Sequence, residues 1–447
     1  MEERISSLVN WATEHGAILH PSVEIYQDPC TGLSFQVKPS ATTPVAPYET
    51  IVSLPTNLTL SYASALNDQS NQPFHQDVLT KLKPHVIGRL FLVKEYLLGK
   101  ESFWWPYIQA LSQPNDRDEW ALAPFWPADE AELLEGTNVE IGLEKIRADV
   151  KRELRELERV LDGCGDKLAT KITPALYQWA YCIFSSRSFR PSLVLSDEQR
   201  KELPDGVGID DFSVLLPLFD LGNHDMTTPI RWELNPNVHA CELNVGKEHQ
   251  PGQQVFNNYS MKTNAELLLG YGFMIPPTQS LHNDYTHVRK RTSDPAASEE
   301  YLISSRPLKD ESSLLVRSKL DDRAKEVALK TIAAFTHVPP DMVWDIFCTL
   351  TNLELRETLM PGVQDEERQS LFLQGKVQGE CVMYLEQTVA IIQHKMLQEL
   401  ERLDETDVEV VSGQLTPNQT LAIEYRQRCR TVLESTLMTM NEDLDTQ

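Results

Sequence analysis

Residues 257–273 read NNYSMKTNAELLLGYGF. Small polar residues precede a leucine-rich cluster, so the stretch predicts a turn followed by a short helix, with Thr263 or Asn264 as its N-cap. Tyr259 and Tyr271 flank that helix, and tyrosines in such places are usually core or rim residues with a satisfied hydroxyl. Upstream, the apolar run SVLLPLF at 213–219 leads into DLGNHD at 220–225. Asp, Gly and Asn all favour turns, so taken alone this segment is a strand end closed by local hydrogen bonds. His224 alone is more often structural than functional.

Working outward, the composition frames the chain. At 447 residues it exceeds what one hydrophobic core usually organises, and two or three folded units are expected. Apolar residues form 41% and charged residues 24%, ordinary values for a globular protein. The net charge of -25 argues against a nucleic-acid surface, which needs a concentrated Lys/Arg face. It suits a basic protein partner, and it serves solubility equally well. The cysteines at 30, 164, 182, 241, 348, 381 and 429 lie far apart without a CxxC pair, so neither metal nor disulfides are expected. No apolar stretch suggests a signal peptide or membrane span, which points to the cytoplasm or nucleus and makes the sequons at Asn57, Asn258 and Asn418 chance matches. GxSxG, HExxH and P-loop sequences are absent.

Periodicity supplies the elements. Ile5, Leu8, Val9 and Ala12 mark a helix over 4–15 that Gly16 can stop. Strands are expected at Leu33 to Val37 and Thr50 to Leu54, around the proline-bearing loop KPSATTPVAPYE. Helices are expected over 86–111, over 143–161 with a mixed-charge solvated face, and over 174–184. Residues 205–275 return to short strands and turns, RTSDPAASEE at 291–300 looks like a mobile loop, and the chain beyond Lys319 reads as helices. The longest carries Val382, Leu385, Val389, Ile392 and Met396 in one stripe.

The order strand, NH, loop, strand, Asn-Tyr turn and short helix ending in YGF resembles the signature of SET-domain protein methyltransferases. It is most similar to the subfamily of the Rubisco large-subunit methyltransferase and the ribosomal-protein lysine methyltransferases, whose pattern is close to NYGxKxNxELLxxYGF. Asn258, Tyr259, Lys262, Asn264, Glu266, Leu267, Leu268, Tyr271, Gly272 and Phe273 carry the match. Trp11 with Gly16, SFWWPYIQAL at 102–111, APFW at 123–126 and SSRSF at 185–189 extend it upstream, and EYRQRCRTVLES at 424–435 more loosely downstream.

The resemblance implies an α+β protein: a SET fold of short β-sheets with a helical insertion, followed by an all-α domain. The implied divisions are 1–75 for the N-terminal helix and first SET half, 76–204 for the insertion, 205–290 for the second SET half, and 300–447 for a substrate-binding-like region. It implies lysine N-methylation of a non-histone protein, such as a basic ribosomal protein, with S-adenosylmethionine as cofactor and a monomeric enzyme using no metal, nucleic acid or membrane. Tyr259 matches the catalytic tyrosine. Asn223 and His224 would contact the cofactor, Asp220 would shape their turn, Arg187 would lie beside the pocket, and Gly32 and Leu33 would form part of its floor. Tyr271 and Phe273 would line the cofactor or lysine channel. A histidine acceptor on the same fold and a catalytically silent binding protein are the alternatives. The chain departs from the family in DPCTGLSF, where Cys30 replaces the first glycine of a GxGL turn and Ser34 a basic residue, and at Ser260, which replaces a glycine. If position 260 requires positive φ, Ser260 is strained.

Overall fold

Gly16 takes φ +93° two residues past the end of the helix Glu2–Glu14, a conformation that a residue with a Cβ rarely adopts, so the chain turns away from the helix at the glycine. Leu8, Trp11 and Ala12 form its buried face. The computed structural model describes residues 2–70, 72–289, 300–317, 330–408, 413 and 415–442. They divide into two compact units, 1–122 with 146–260, and 123–145 with 261–447.

The first unit holds three small sheets. Its strands are β1 (Ile18–Leu19), β2 (Val23–Asp28), β3 (Gly32–Val37), β4 (Thr50–Pro55), β5 (Leu60–Ser61), β6 (Ser188–Phe189), β7 (Val214–Leu215), β8 (Ile230–Asn235), β9 (Ala240–Val245) and β10 (Gln254–Val255). The sheet orders are β1-β4-β9-β8, β10-β3-β2 and β5-β7-β6. Each sheet therefore joins strands from before residue 62 to strands from after residue 187, with helices on the chain between them. β4 and β9 pair antiparallel across this separation, Thr50 opposite Asn244 and Pro55 opposite Ala240.

Among the intervening helices, Pro84–Leu98 packs against Pro174–Arg187. Each starts with a proline in its first turn, where the missing N–H costs nothing. The first is apolar on most sides and buries Val86, Ile87, Leu90, Phe91 and Val93. The second is capped by Thr173, whose hydroxyl accepts the Leu176 N–H at 3.2 Å, and it delivers Arg187 at its far end. The helix Glu140–Cys164 buries Leu143, Val150, Leu157 and Leu161 and leaves its charged face outward, as its periodicity predicts.

The second unit contains a two-stranded hairpin, β11 (Tyr285–Arg289) with β12 (Glu300–Ser304), and the helices Pro340–Leu350, Leu353–Leu359, Asp365–Leu373, Glu380–Glu405 and Pro417–Glu442. β12 lies outside the helical pattern expected from residue 300: in EYLIS, Tyr301 and Ile303 are buried, the alternation of a half-covered strand. The expected loop 291–300 falls outside the described residues except for Glu300. The last two helices pack together. In Glu380–Glu405 the buried stripe is Cys381, Thr388, Val389, Ile392 and Met396, while Val382 is exposed, so the packed face sits one residue away from that expected at the first turn. No helix among the described residues is long and apolar enough to cross a membrane.

Candidate active site

The turn after β7 is built on a strained residue. Leu218 is buried and adopts φ +71°, ψ −44°, which redirects the chain into the short turn Phe219–Leu221. Such backbone persists only where surrounding packing holds it. Asp220 emerges from the turn buried. Its carboxylate accepts a hydrogen bond from the Tyr107 hydroxyl at 2.8 Å, and Arg187 Nη1 lies 3.6 Å from Oδ2 while donating to the Asp220 carbonyl at 3.0 Å. Burial raises the Asp220 pKa, with Arg187 acting against it. Burial also disfavours the charge on Arg187, but Asp220 outweighs this and holds the guanidinium firmly cationic. Arg187 keeps 31% of its side chain exposed.

Next along the turn, the Asn257 N–H donates to the Asn223 carbonyl at 2.7 Å and the Asp225 N–H to the Asn257 carbonyl at 2.9 Å, tying 223–225 to the segment that bears Tyr259. His224 and Tyr259 are stacked, with ring centroids 4.9 Å apart and 8° between planes. The Tyr259 N–H donates to His224 Nδ1 at 3.0 Å, and the Tyr259 hydroxyl donates to the Gly222 carbonyl at 2.9 Å. An imidazole that accepts at Nδ1 is neutral and carries its hydrogen on Nε2. Asn258 locks the bend: its amide donates to the carbonyls of Met226 at 3.1 Å and Thr228 at 3.0 Å, and its Oδ1 accepts the Ser260 N–H at 2.9 Å. Ser260 has φ +74°, so the condition set by the sequence holds and this non-glycine residue is in the left-handed region.

Gly32 and Leu33 start β3, after the loop Pro29–Thr31. Gly32 has φ +79° and pairs with Asp28, the geometry of a three-residue hairpin loop closed by a left-handed residue. Asp28 Oδ1 accepts the N–H groups of Cys30 at 2.9 Å and Thr31 at 2.8 Å, and these bonds hold its carboxyl down at about 2. Cys30 does not take a positive φ, so its backbone makes no demand for glycine. The Asn223 amide donates to the Thr31 hydroxyl at 2.9 Å and thereby joins hairpin to turn.

The first unit thus brings together Arg187, Asp220, Asn223, His224 and Tyr259, with Gly32 and Leu33 on the joined hairpin. Tyr271 and Phe273 belong to the second unit, at the end of the helix Asn264–Tyr271, with ring centroids 6.3 Å apart. The Lys262 ammonium lies 5.6 Å from the Tyr271 ring centroid. Thr263 is the N-cap: its hydroxyl accepts the Glu266 N–H at 3.3 Å and Glu266 answers at the Thr263 N–H at 2.7 Å. Sequence reasoning gave no role to Tyr107, Gly222, Asn257 or Gln254. The SFWWPYIQAL motif pointed to Tyr107; a glycine carbonyl and a strand glutamine carry no local signal.

The donor set suits a cationic sulfonium carrying an amino-acid group. The Asp220 carboxylate keeps a buried oxygen, Oδ1, without a hydrogen-bond partner, the charge of Arg187 is countered, and hydroxyl, amide and carbonyl oxygens line the turn. No family model matches the chain. It is 28% identical over 279 residues to a ribosomal lysine N-methyltransferase of Schizosaccharomyces pombe, covering 61% of this chain and 46% of that protein. It is 24% identical over 311 residues to a protein-lysine N-methyltransferase of Saccharomyces cerevisiae, covering 61% and 50%. It is 24% identical over 276 residues to the actin-histidine N-methyltransferase of Homo sapiens, covering 61% and 42%. These matches span about half the length of those relatives. Among solved structures, the SET domain of LSMT bound to lysine and AdoHcy superposes with a TM-score of 0.65 at 17% identity, covering 99% of this chain and 92% of that one. Rubisco LSMT bound to AdoMet gives 0.64 at 19%, covering 98% and 92%. The fold is the α+β SET architecture of these proteins, and the resemblance carried by the motifs extends to sequence relatives and solved structures alike.

Proposed function

We propose that this chain is an S-adenosylmethionine-dependent protein lysine N-methyltransferase acting on a non-histone protein, with a basic ribosomal protein as the favoured class, and working as a monomer in the cytoplasm or nucleus. The observation that carries the reading is Tyr259, stacked on His224 and hydrogen-bonded through its hydroxyl to the Gly222 carbonyl. When bound, S-adenosylmethionine supplies an electrophilic methyl group on a sulfonium. Asn223, His224 and the Gly32–Leu33 hairpin would hold it, with Arg187 and Asp220 beside it.

In-line displacement rewards positioning above all. The Tyr259 hydroxyl donates its hydrogen to Gly222, so toward the amine N–H and the polarised methyl it would act through its oxygen. Such CH···O contacts are individually weak, so the Gly222 and Asp220 carbonyls would have to contribute with it. A lysine must be neutral to attack, which costs about 4.6 kcal/mol at pH 7 in water. An apolar channel and a neighbouring positive charge lower that cost. His224 is neutral and adds no charge, and Tyr259, already a donor, acts by orienting the amine. Tyr271 and Phe273 keep the channel roles implied by the resemblance.

The charge of -25 and the printed names of the lysine-methylating relatives support a basic protein substrate. The actin-histidine relative favours one second reading, an imidazole acceptor. The test is to supply methyl-labelled cofactor to an extract from cells lacking this protein and map the modified residue by mass spectrometry. Lysine is the expected acceptor; labelled histidine establishes the second reading. Tyr259→Phe should lower turnover about a hundredfold while retaining cofactor binding. Near-full turnover by that variant removes Tyr259 from the centre, and failure of the chain to bind S-adenosylmethionine favours a silent scaffold.

A further inference from the structure

Gln254 stands on β10, opposite Gln36 on β3, with its side chain turned toward the hairpin tip. Its Nε2 lies 2.7 Å from the Tyr26 hydroxyl, 3.1 Å from Asp28 Oδ2 and 3.3 Å from the Thr31 hydroxyl, three acceptors within reach of its two hydrogens. Its Oε1 accepts from the Ser34 hydroxyl at 3.2 Å and from Asn223 Nδ2 at 3.4 Å. One half-buried amide therefore touches both ends of the loop Pro29–Thr31 and the side chain that the 220–225 turn extends toward it.

We infer that Gln254 is the positioning residue of the cofactor site, clamping the hairpin tip to Asn223 so that both walls are set before the ligand arrives; the inference rests on the proposed methyl-transfer reading. The chemistry requires an amide. The residue must donate toward Asp28 and Tyr26 while accepting from Asn223 and Ser34, which neither a carboxylate nor an alkyl group can do. A glutamate would also place like charge beside Asp28. Pre-ordering both walls removes an entropic cost from binding, so the clamp acts on cofactor affinity rather than on the transfer step.

The test is calorimetry of S-adenosylhomocysteine with the full chain and its variants, together with steady-state kinetics and thermal unfolding. Gln254→Leu and Gln254→Glu should each raise the Kd about tenfold, equivalent to about 1.4 kcal/mol. The KM for S-adenosylmethionine should rise in parallel, with kcat at saturating cofactor and the unfolding temperature essentially preserved. Thr31→Val, on the exposed loop, should weaken binding in the same direction and should add little to Gln254→Leu in the double variant. If the Gln254 variants fail to fold, Thr31→Val alone carries the test. An unchanged Kd in folded variants, or a fall in kcat without a change in KM, overturns the clamp and leaves the methyl-transfer reading intact. A wild-type chain that binds neither cofactor form overturns both.

Discussion

Ser260 carries a side chain at φ +74°, where an L-residue other than glycine pays a steric penalty of about 1–2 kcal/mol. Ser260→Gly relieves that strain and loses about 0.5–1 kcal/mol through the added freedom of the unfolded chain. A net gain of about 0.5–1 kcal/mol is expected in urea unfolding, whereas Ser260→Val should lose stability. Tyr107→Phe makes the opposite case: it withdraws a donor from a buried carboxylate and should cost about 1–3 kcal/mol. At this scale the structure brings Tyr259, Asn223 and His224 together, the three residues that the motif picked out in the sequence. Tyr107 reaches Asp220 across 113 residues of chain, and Gly222 meets Tyr259 only through its backbone carbonyl, so neither contact shows in local pattern.

Capping chemistry governs where single elements begin. Thr263→Ala breaks the reciprocal bonds with Glu266 and should cost about 1 kcal/mol in chemical denaturation, while Thr263→Ser should retain most of it. The hairpin tip responds to acid. Asp28 titrates at about 2 in the folded chain against 3.8 ordinarily, so its support for the turn is complete above pH 4 and disappears as pH falls toward 2. Amide-exchange protection at Cys30 and Thr31 should fall over that window, and protection that stays constant would dismiss the Asp28 bonds as the turn's support. The capping threonine could be narrowed from sequence to two residues, because caps are local. The packed face of Glu380–Glu405 was legible in its later turns and displaced at Val382, where the position of the neighbouring helix, not the period, decides which side is covered.

At the scale of the whole molecule, the second unit buries an imidazole. His282 is fully buried, stacked on Tyr285 with centroids 4.9 Å apart, and burial lowers its pKa from 6.5 to about 4. Its neutral form is favoured by folding, so stability is complete above pH 6.5 and falls by about 3 kcal/mol as pH drops to 4. His282→Asn should flatten that part of the urea-midpoint profile even if it lowers stability throughout, and an unaltered slope would place the acid sensitivity elsewhere. The sequence by itself determined the apolar stripes of the helices Glu2–Glu14, Glu140–Cys164 and Pro174–Arg187, the cap of Asn264–Tyr271 to within two residues, and the Asn-Tyr and NH motifs, because period, propensity and turn chemistry act within a few residues; the helix expected over 86–111 ends at Leu98. Only the tertiary structure decided that β4 pairs with β9, that Tyr107 and Arg187 converge on Asp220, and which polar groups Gln254 joins. A strand edge or an amide can satisfy its hydrogen bonds with many partners, and the choice among them is made by how segments more than a hundred residues apart pack.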